Sequence, residues 1–234
     1  MKSRLSPFCC RAPLLPLLVG VLLGGTALLR AQTAVSNFGQ GISGSANVGS
    51  DAGYFNISHV FSFTTGASAA NFDFTSATLA FNNATGSPGS LAVGLYSDFN
   101  PTSGTSGLLA TLNATVGNPA TAGNVVFSGS ATLAAATTYY LLLSAPSATT
   151  TGNYFTYVTP ATTGTDPGGL AGWSLGTIGY FSASGVSWTS IGGGSEMSIQ
   201  ASAIPEPSTY AAIVGATALG LALWRRPRRK FAGA

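Results

Sequence analysis

The sequence predicts an all-β fold: one antiparallel β-sandwich domain of jelly-roll-like order over residues 32–203, preceded by a signal peptide and followed by a single transmembrane helix. Three observations carry that reading. Apolar residues recur with period two in short runs, Gly, Pro, Asn and Asp cluster between the runs, and nothing in 35–203 keeps a 3.6-residue apolar repeat. Disorder is the competing reading, because Gly, Ser, Thr and Ala dominate. Regularly spaced Phe, Tyr, Trp and β-branched residues argue against a solvated tether.

Taken in order, Lys2, Arg4 and Arg11 precede an uncharged run over 12–29 that is broken by Pro13, Pro16, Gly20, Gly24 and Gly25. That is the composition of a secretory signal peptide, with cleavage after Ala31, or alternatively after Ala34; a retained N-terminal anchor is the plainer alternative. Cys9 and Cys10 are the only cysteines, and both fall in the segment to be removed. The mature body therefore has no disulfide, thiolate ligand or cysteine nucleophile, although export would place it where bridges persist.

Within 55–64, Phe55, Ile57, His59, Phe61 and Phe63 share one face while Asn56, Ser58, Ser62 and Thr64 take the other, which reads as a half-buried strand. Phe72 and Phe74 continue the alternation, and Leu79 and Phe81 resume it in shifted phase, so a bulge or turn is expected near 75–77. Leu91, Val93 and Leu95 alternate up to a turn built from Asp98, Asn100 and Pro101. Further strands are expected at 108–116, 125–127, 139–143, 154–158, 173–180, 186–191 and 197–199, about ten in all, the count of a sandwich or jelly roll.

Charge is segregated. All nine cations, Lys2, Arg4, Arg11, Arg30, Arg225, Arg226, Arg228, Arg229 and Lys230, lie at the two ends, and the body holds only the acids Asp51, Asp73, Asp98, Asp166 and Glu196. With no cation to neutralise phosphate, the body lacks the electrostatic basis of nucleic-acid binding. Solubility falls to Ser, Thr, Asn and Gly.

At the C-terminus, Pro205, Glu206 and Pro207 stand before the uncharged run 210–224, which ends in Arg225, Arg226, Arg228, Arg229 and Lys230. As a helix that run spans roughly 22 Å, against about 30 Å of hydrocarbon. Tyr210 and Trp224 at its ends suit the membrane interface, and the basic tail would stay on the cytoplasmic side as a topology stop. The prolines deny the tripeptide a helix and keep it extended. In this order, residues 204–230 resemble the PEP-CTERM sorting signal of Gram-negative bacteria. The resemblance implies that Pro205, Glu206 and Pro207 are recognition residues for an integral membrane protease of the exosortase type. It also implies an inner-membrane-anchored precursor, and a mature form at the outer surface or in the extracellular polysaccharide matrix.

The segments VFSFTT (60–65), LAVGLYSD (91–98), LLATL (108–112) and LAAATTYYL (133–141) are similar to choice-of-anchor domains, β-rich exported modules found with interchangeable C-terminal anchors. That family implies a non-enzymatic surface or matrix protein and supplies no catalytic residues to carry over.

Residues that would carry chemistry are few. His59 is the only histidine and lies on an apolar strand face, where a packed imidazole is the simpler reading than a general base. One histidine and no body cysteine leave no conventional zinc set, no cofactor motif is present, and no metal or cofactor is expected. The five acids are dispersed; Asp98 and Asp166, each beside a Pro or Asn turn signal, read first as turn caps, with a loop calcium site as the alternative, and a glycosidase would need two acids to meet across one cleft. Trp173, Tyr180 and Trp188 read either as core or as an aromatic platform for sugar rings. Asn56, Asn83 and Asn113 head N-glycosylation patterns. The expected function is thus an exported, matrix-associated protein, with a displayed carbohydrate-binding module as the alternative.

Overall fold

The computed structural model describes residues 31–51, 54–69, 71–116, 121–162, 164–183, 187–192, 194–204 and 207–225. The chain divides into Met1–Arg30, which lies outside the described residues together with the expected export signal, and Ala31–Ala234.

Among the described residues there are thirteen strands and one helix. The strands are β1 (Gln32–Ser36), β2 (Ile42–Asp51), β3 (Tyr54–Thr64), β4 (Asn71–Thr85), β5 (Ala92–Asn100), β6 (Gly104–Val116) and β7 (Gly123–Ala134), then β8 (Thr138–Ser144), β9 (Asn153–Pro160), β10 (Ser174–Leu175), β11 (Ile178–Ser182), β12 (Thr189–Gly192) and β13 (Met197–Ile204). The helix, α1, is Pro207–Arg225.

Eight strands close on themselves in the order β4, β7, β6, β5, β8, β3, β2, β9 and back to β4, every neighbouring pair antiparallel. The fold is a closed barrel, and the expected jelly-roll-like sandwich is corrected. Period-two alternation fixes which side chains face inward, and it is identical in a sandwich and a barrel. What decides between them is which edges meet, and here β9 bonds the far end of β4 while β2 bonds the start of β3. Long strands make this possible. β4 changes neighbour along its length, from β13 at 71–79 to β9 at 81–85. Against β13 the ladder slips between Gln200 and Ala201, which face Ser76 and Phe74, leaving Thr75 as the extra residue near the expected phase shift. Outside the ring, β13 and β1 extend from β4, while β10, β11 and β12 extend from β3.

The barrel interior is one apolar cluster that includes Phe61, Phe63, Phe72, Phe74, Phe81, Phe127, Leu141 and Leu143, all at most 1 % exposed. β8 shows the rule clearly. Tyr139, Leu141 and Leu143 are buried, and Thr138, Tyr140, Leu142 and Ser144 face out half-buried.

The expected transmembrane helix at 210–224 is corrected as well. α1 is helical, but no helix among the described residues is long and apolar enough to cross a membrane. Its first turn is Pro207, Ser208 and Thr209, and Gly215, Thr217 and Gly220 dilute the apolar run. The Thr217 hydroxyl returns its hydrogen bond to the Ile213 carbonyl at 2.8 Å.

The ring is weakest where β2 meets β3, a ladder with only the pairs Gly49 with Ile57 and Asp51 with Tyr54. Side chains reinforce it. His59 on β3 donates from Nε2 to the Asn47 carbonyl of β2 at 2.8 Å, and Tyr157 on β9 donates its hydroxyl to His59 Nδ1 at 3.1 Å. His59 is 3 % exposed and Tyr157 wholly buried, their rings edge to face at 4.9 Å. Burial lowers the His59 pKa to about 4, its hydrogen bond to Asn47 opposing the shift in part, and burial raises the Tyr157 hydroxyl above its ordinary value. The imidazole is therefore neutral in the fold. Because the folded pKa lies below the unfolded value of 6.5, the unfolded chain binds the extra proton between pH 6.5 and 4, and stability falls as the solution is acidified through that window. The loss amounts to about 3 kcal/mol at the acid end. Urea unfolding of the protein and of His59→Gln across this range is expected to show the steeper acid loss in the parent; parallel pH profiles would contradict it.

Candidate functional site

The most chemically furnished surface is an open groove of about 350 Å³ on the outer face of β3, β8 and β11. Three aromatic rings line it: Tyr140 of β8, Tyr180 of β11 and Phe99 near the end of β5. Ser62, Thr64, Thr138 and Thr177 supply hydroxyls between them. Phe99 is the hub, with ring centroids 4.9 Å from Tyr180 and 5.6 Å from Tyr140.

Strand alternation and three local devices build this arrangement. Tyr139 enters the core, so its neighbour Tyr140 must face out. Tyr180 is placed by pairing opposite Val60 on β3. After Phe99 the chain turns on Asn100, whose side-chain oxygen accepts from the Thr102 N–H at 2.8 Å and whose carbonyl accepts from the Ser103 N–H at 3.2 Å. Gly104 follows in the left-handed region, φ 86°, and the indole of Trp188 lies on it, Nε1 3.2 Å from where a Cβ would stand. At the floor, Gly176 donates its N–H to the Ser62 carbonyl at 2.7 Å, an approach at which a Cβ would overlap the Ser62 hydroxyl.

The three residues of the expected aromatic platform are separated. Tyr180 lines the groove. Trp188 stands behind it, edge-on to Phe99 at 5.4 Å and 89°, its N–H buried without an acceptor. Trp173 is in the core: 7 % exposed, stacked on Phe63 at 5.9 Å and edge-on to Phe72 at 5.0 Å. Phe99 and Tyr140, which the sequence reading did not single out, take its place. The signal for Tyr140 was present in the double Tyr of β8, of which only one can point inward.

Asp98 adjoins the groove. Its Oδ2 accepts from the Ser106 hydroxyl at 3.1 Å, and its charge reaches Tyr140. The Tyr140 hydroxyl is raised from its ordinary pKa, first by burial, then by the negative charges of Asp98 and Tyr180. The other acids lie elsewhere. Asp51 accepts from Asn47 Nδ2 at 2.7 Å, and Asp73 is exposed on β4.

Asp166 and Glu196 interact electrostatically with each other. Burial pushes the Asp166 carboxyl up, but hydrogen bonds from Gln40, Gly39, Ser36 and Phe38 outweigh it and hold the carboxyl below its usual range. Those contacts include Gln40 Nε2 at 3.0 Å and the Ser36 hydroxyl at 2.8 Å. Glu196 is raised by burial and then by Asp166, and its Oε1 is buried with no partner. With its oxygens committed to N–H and O–H donors, Asp166 is a turn clamp for the 37–40 segment. Among the described residues no group of three or more His, Cys, Asp or Glu is placed to hold a metal ion.

Pro205, Glu206, Arg226, Arg228, Arg229 and Lys230 lie outside the described residues, while Pro207 and Arg225 are the first and last residues of α1. Asn56, Asn83 and Asn113 are all exposed. No family model matches the chain, and neither a curated protein nor a solved structure shows significant similarity to it.

Placing Trp173 in the core and Trp188 at the rim separates their mutant effects. Trp173→Ala is expected to cost about 3–5 kcal/mol in urea unfolding, and Trp188→Ala about 1 kcal/mol. Equal losses would refute the assignment.

Proposed function

We propose that the protein is a non-enzymatic exported protein whose barrel binds a polysaccharide at the outer cell surface or in the extracellular matrix, after sorting through residues 204–230. The groove lined by Phe99, Tyr140 and Tyr180 carries the binding half of this reading. Sugar rings present apolar faces edged by hydroxyls, and a cleft of half-buried aromatics with Ser, Thr and Tyr hydroxyls between them complements both features.

Sorting is supported by the order of Pro205, Glu206 and Pro207, an apolar helix and the basic cluster of Arg225, Arg226, Arg228, Arg229 and Lys230. The proposed partner is a membrane protease of the exosortase type acting at the inner membrane. On this reading α1 is a handle: Ala211, Ala212, Gly215, Ala216 and Gly220 leave room for the protease to approach its backbone closely. The cation-free body adds an argument for display over nucleic-acid work.

Two measurements check the two halves. Intact mass of the protein isolated from its host is expected to lack residues 1–31 and everything beyond the Pro205 to Pro207 region; a mature form that keeps 210–230 removes the sorting half. In affinity electrophoresis through matrix polysaccharide, Tyr180→Ala is expected to weaken retention about tenfold, a loss of about 1.4 kcal/mol. Failure of the parent protein to be retained by any polysaccharide removes the binding half.

A further inference from the structure

Resting on the glycan-binding reading, we infer that the groove selects amino sugars bearing free ammonium groups, as in a de-N-acetylated hexosamine polymer, over neutral and uronic-acid glycans. The inference comes from charge placed beside aromatic faces. Phe99 gathers Tyr140 and Tyr180 within 5.6 Å of its own centroid, the three rings tilted against one another along one opening. Ring faces attract cations. Asp98 immediately precedes Phe99 in β5, is exposed, and is close enough for its charge to act on Tyr140.

An ammonium has three N–H donors and no acceptor capacity. The opening offers it the oxygens of Tyr140, Ser62 and Thr138, and the Asp98 carboxylate stands outside that lining, one residue from Phe99. The rest of the body points the same way. It contains no Lys or Arg between Gln32 and Ala203, so Asp98 has no internal cation to satisfy it, and the five acids there give a field that attracts cations and repels uronates. A neutral sugar bound over the same rings would partly desolvate Asp98 without supplying a counter-charge.

The test is calorimetric titration of the full-length protein, in mildly acidic low-salt buffer, with three oligomers of equal length: glucosamine, N-acetylglucosamine and a uronic acid. Glucosamine oligomers are expected to bind about fivefold more tightly than their acetylated counterparts, the combined scale of one exposed ion pair and one cation–π contact. The preference should shrink as salt is added. In Asp98→Asn, with near-ultraviolet circular dichroism confirming the fold, the ratio between the two should approach one. Equal affinities in the parent, a ratio unchanged in Asp98→Asn, or tightest binding to uronate each overturn the ammonium assignment while leaving the glycan reading in place. No binding to any of the three, nor to matrix polysaccharide, overturns both.

Discussion

The barrel depends on shutting its ring at the β2–β3 edge with neutral groups alone. The body has no Lys or Arg, so no Lys or Arg ion pair can stitch the seam, and the sequence has no cysteine beyond Cys10 to bridge it. Asn47 becomes the hub instead. Its carbonyl takes His59, its Nδ2 gives to Asp51, and its Oδ1 accepts from Thr156 at 2.9 Å. Ser50 adds another tie, its hydroxyl donating to the Ala148 carbonyl and accepting from the Asn56 N–H. Buried groups of this kind are costly when one partner is lost, because the remaining donor or acceptor stays out of water. The seam is held by mutual satisfaction more than by the strength of any one bond, and the neutral state of His59 is a condition of it.

That constraint also explains how far the sequence can be read. Strands with large alternating side chains, β3 and β8 above all, announce themselves, because each apolar residue has only one place to go. β1 and β2 do not. Ile42–Asp51 is rich in Gly and Ser, and its partners are chosen by backbone hydrogen bonds along eight register pairs with β9. Those two silent strands include the one that closes the ring, so the choice between sandwich and barrel was hidden in the segment with least side-chain signal. The C-terminal run misled for a related reason. Being uncharged is necessary for a membrane span but not sufficient, and the small residues of α1 satisfy the first condition alone.

The groove was half legible. Tyr180 and Trp188 could be picked out as clustered aromatics, but the pattern around Trp173 is equally compatible with core. Its fate is set by the 161–173 segment, which folds back through Asp166 N–H to Ser36 carbonyl at 2.6 Å and Leu170 N–H to Ala34 carbonyl at 2.8 Å. Those long-range bonds deliver the indole to Phe63 and Phe72. No periodicity encodes them. Phe99 was missed because its importance is geometric: an Asx-based turn after it and Trp188 behind it hold one ring among three others.

Fold and site are least separable in β8. Tyr139 and Tyr140 differ only in which face they take, and a one-residue slip would send the groove's tyrosine into the core and the core's tyrosine into the groove. Packing favours the observed register, because the slipped row would bury Ser144 in place of Leu143. A hydrogen bond adds to that preference at the tyrosines themselves: the Tyr139 hydroxyl accepts from the Ala134 N–H at 2.7 Å, at the end of β7 where the chain turns towards β8. In the slipped register that N–H would lose this acceptor, a loss on the scale of one hydrogen bond. The same turn is bound to β3 through the Thr65 hydroxyl, which donates to the Ala134 carbonyl at 2.7 Å and accepts from the Thr137 N–H at 3.0 Å. The groove's tyrosine on β8 is therefore positioned by the barrel's register and by polar contacts at the head of its own strand, while the Asn100 turn and Trp188 hold Phe99 against it.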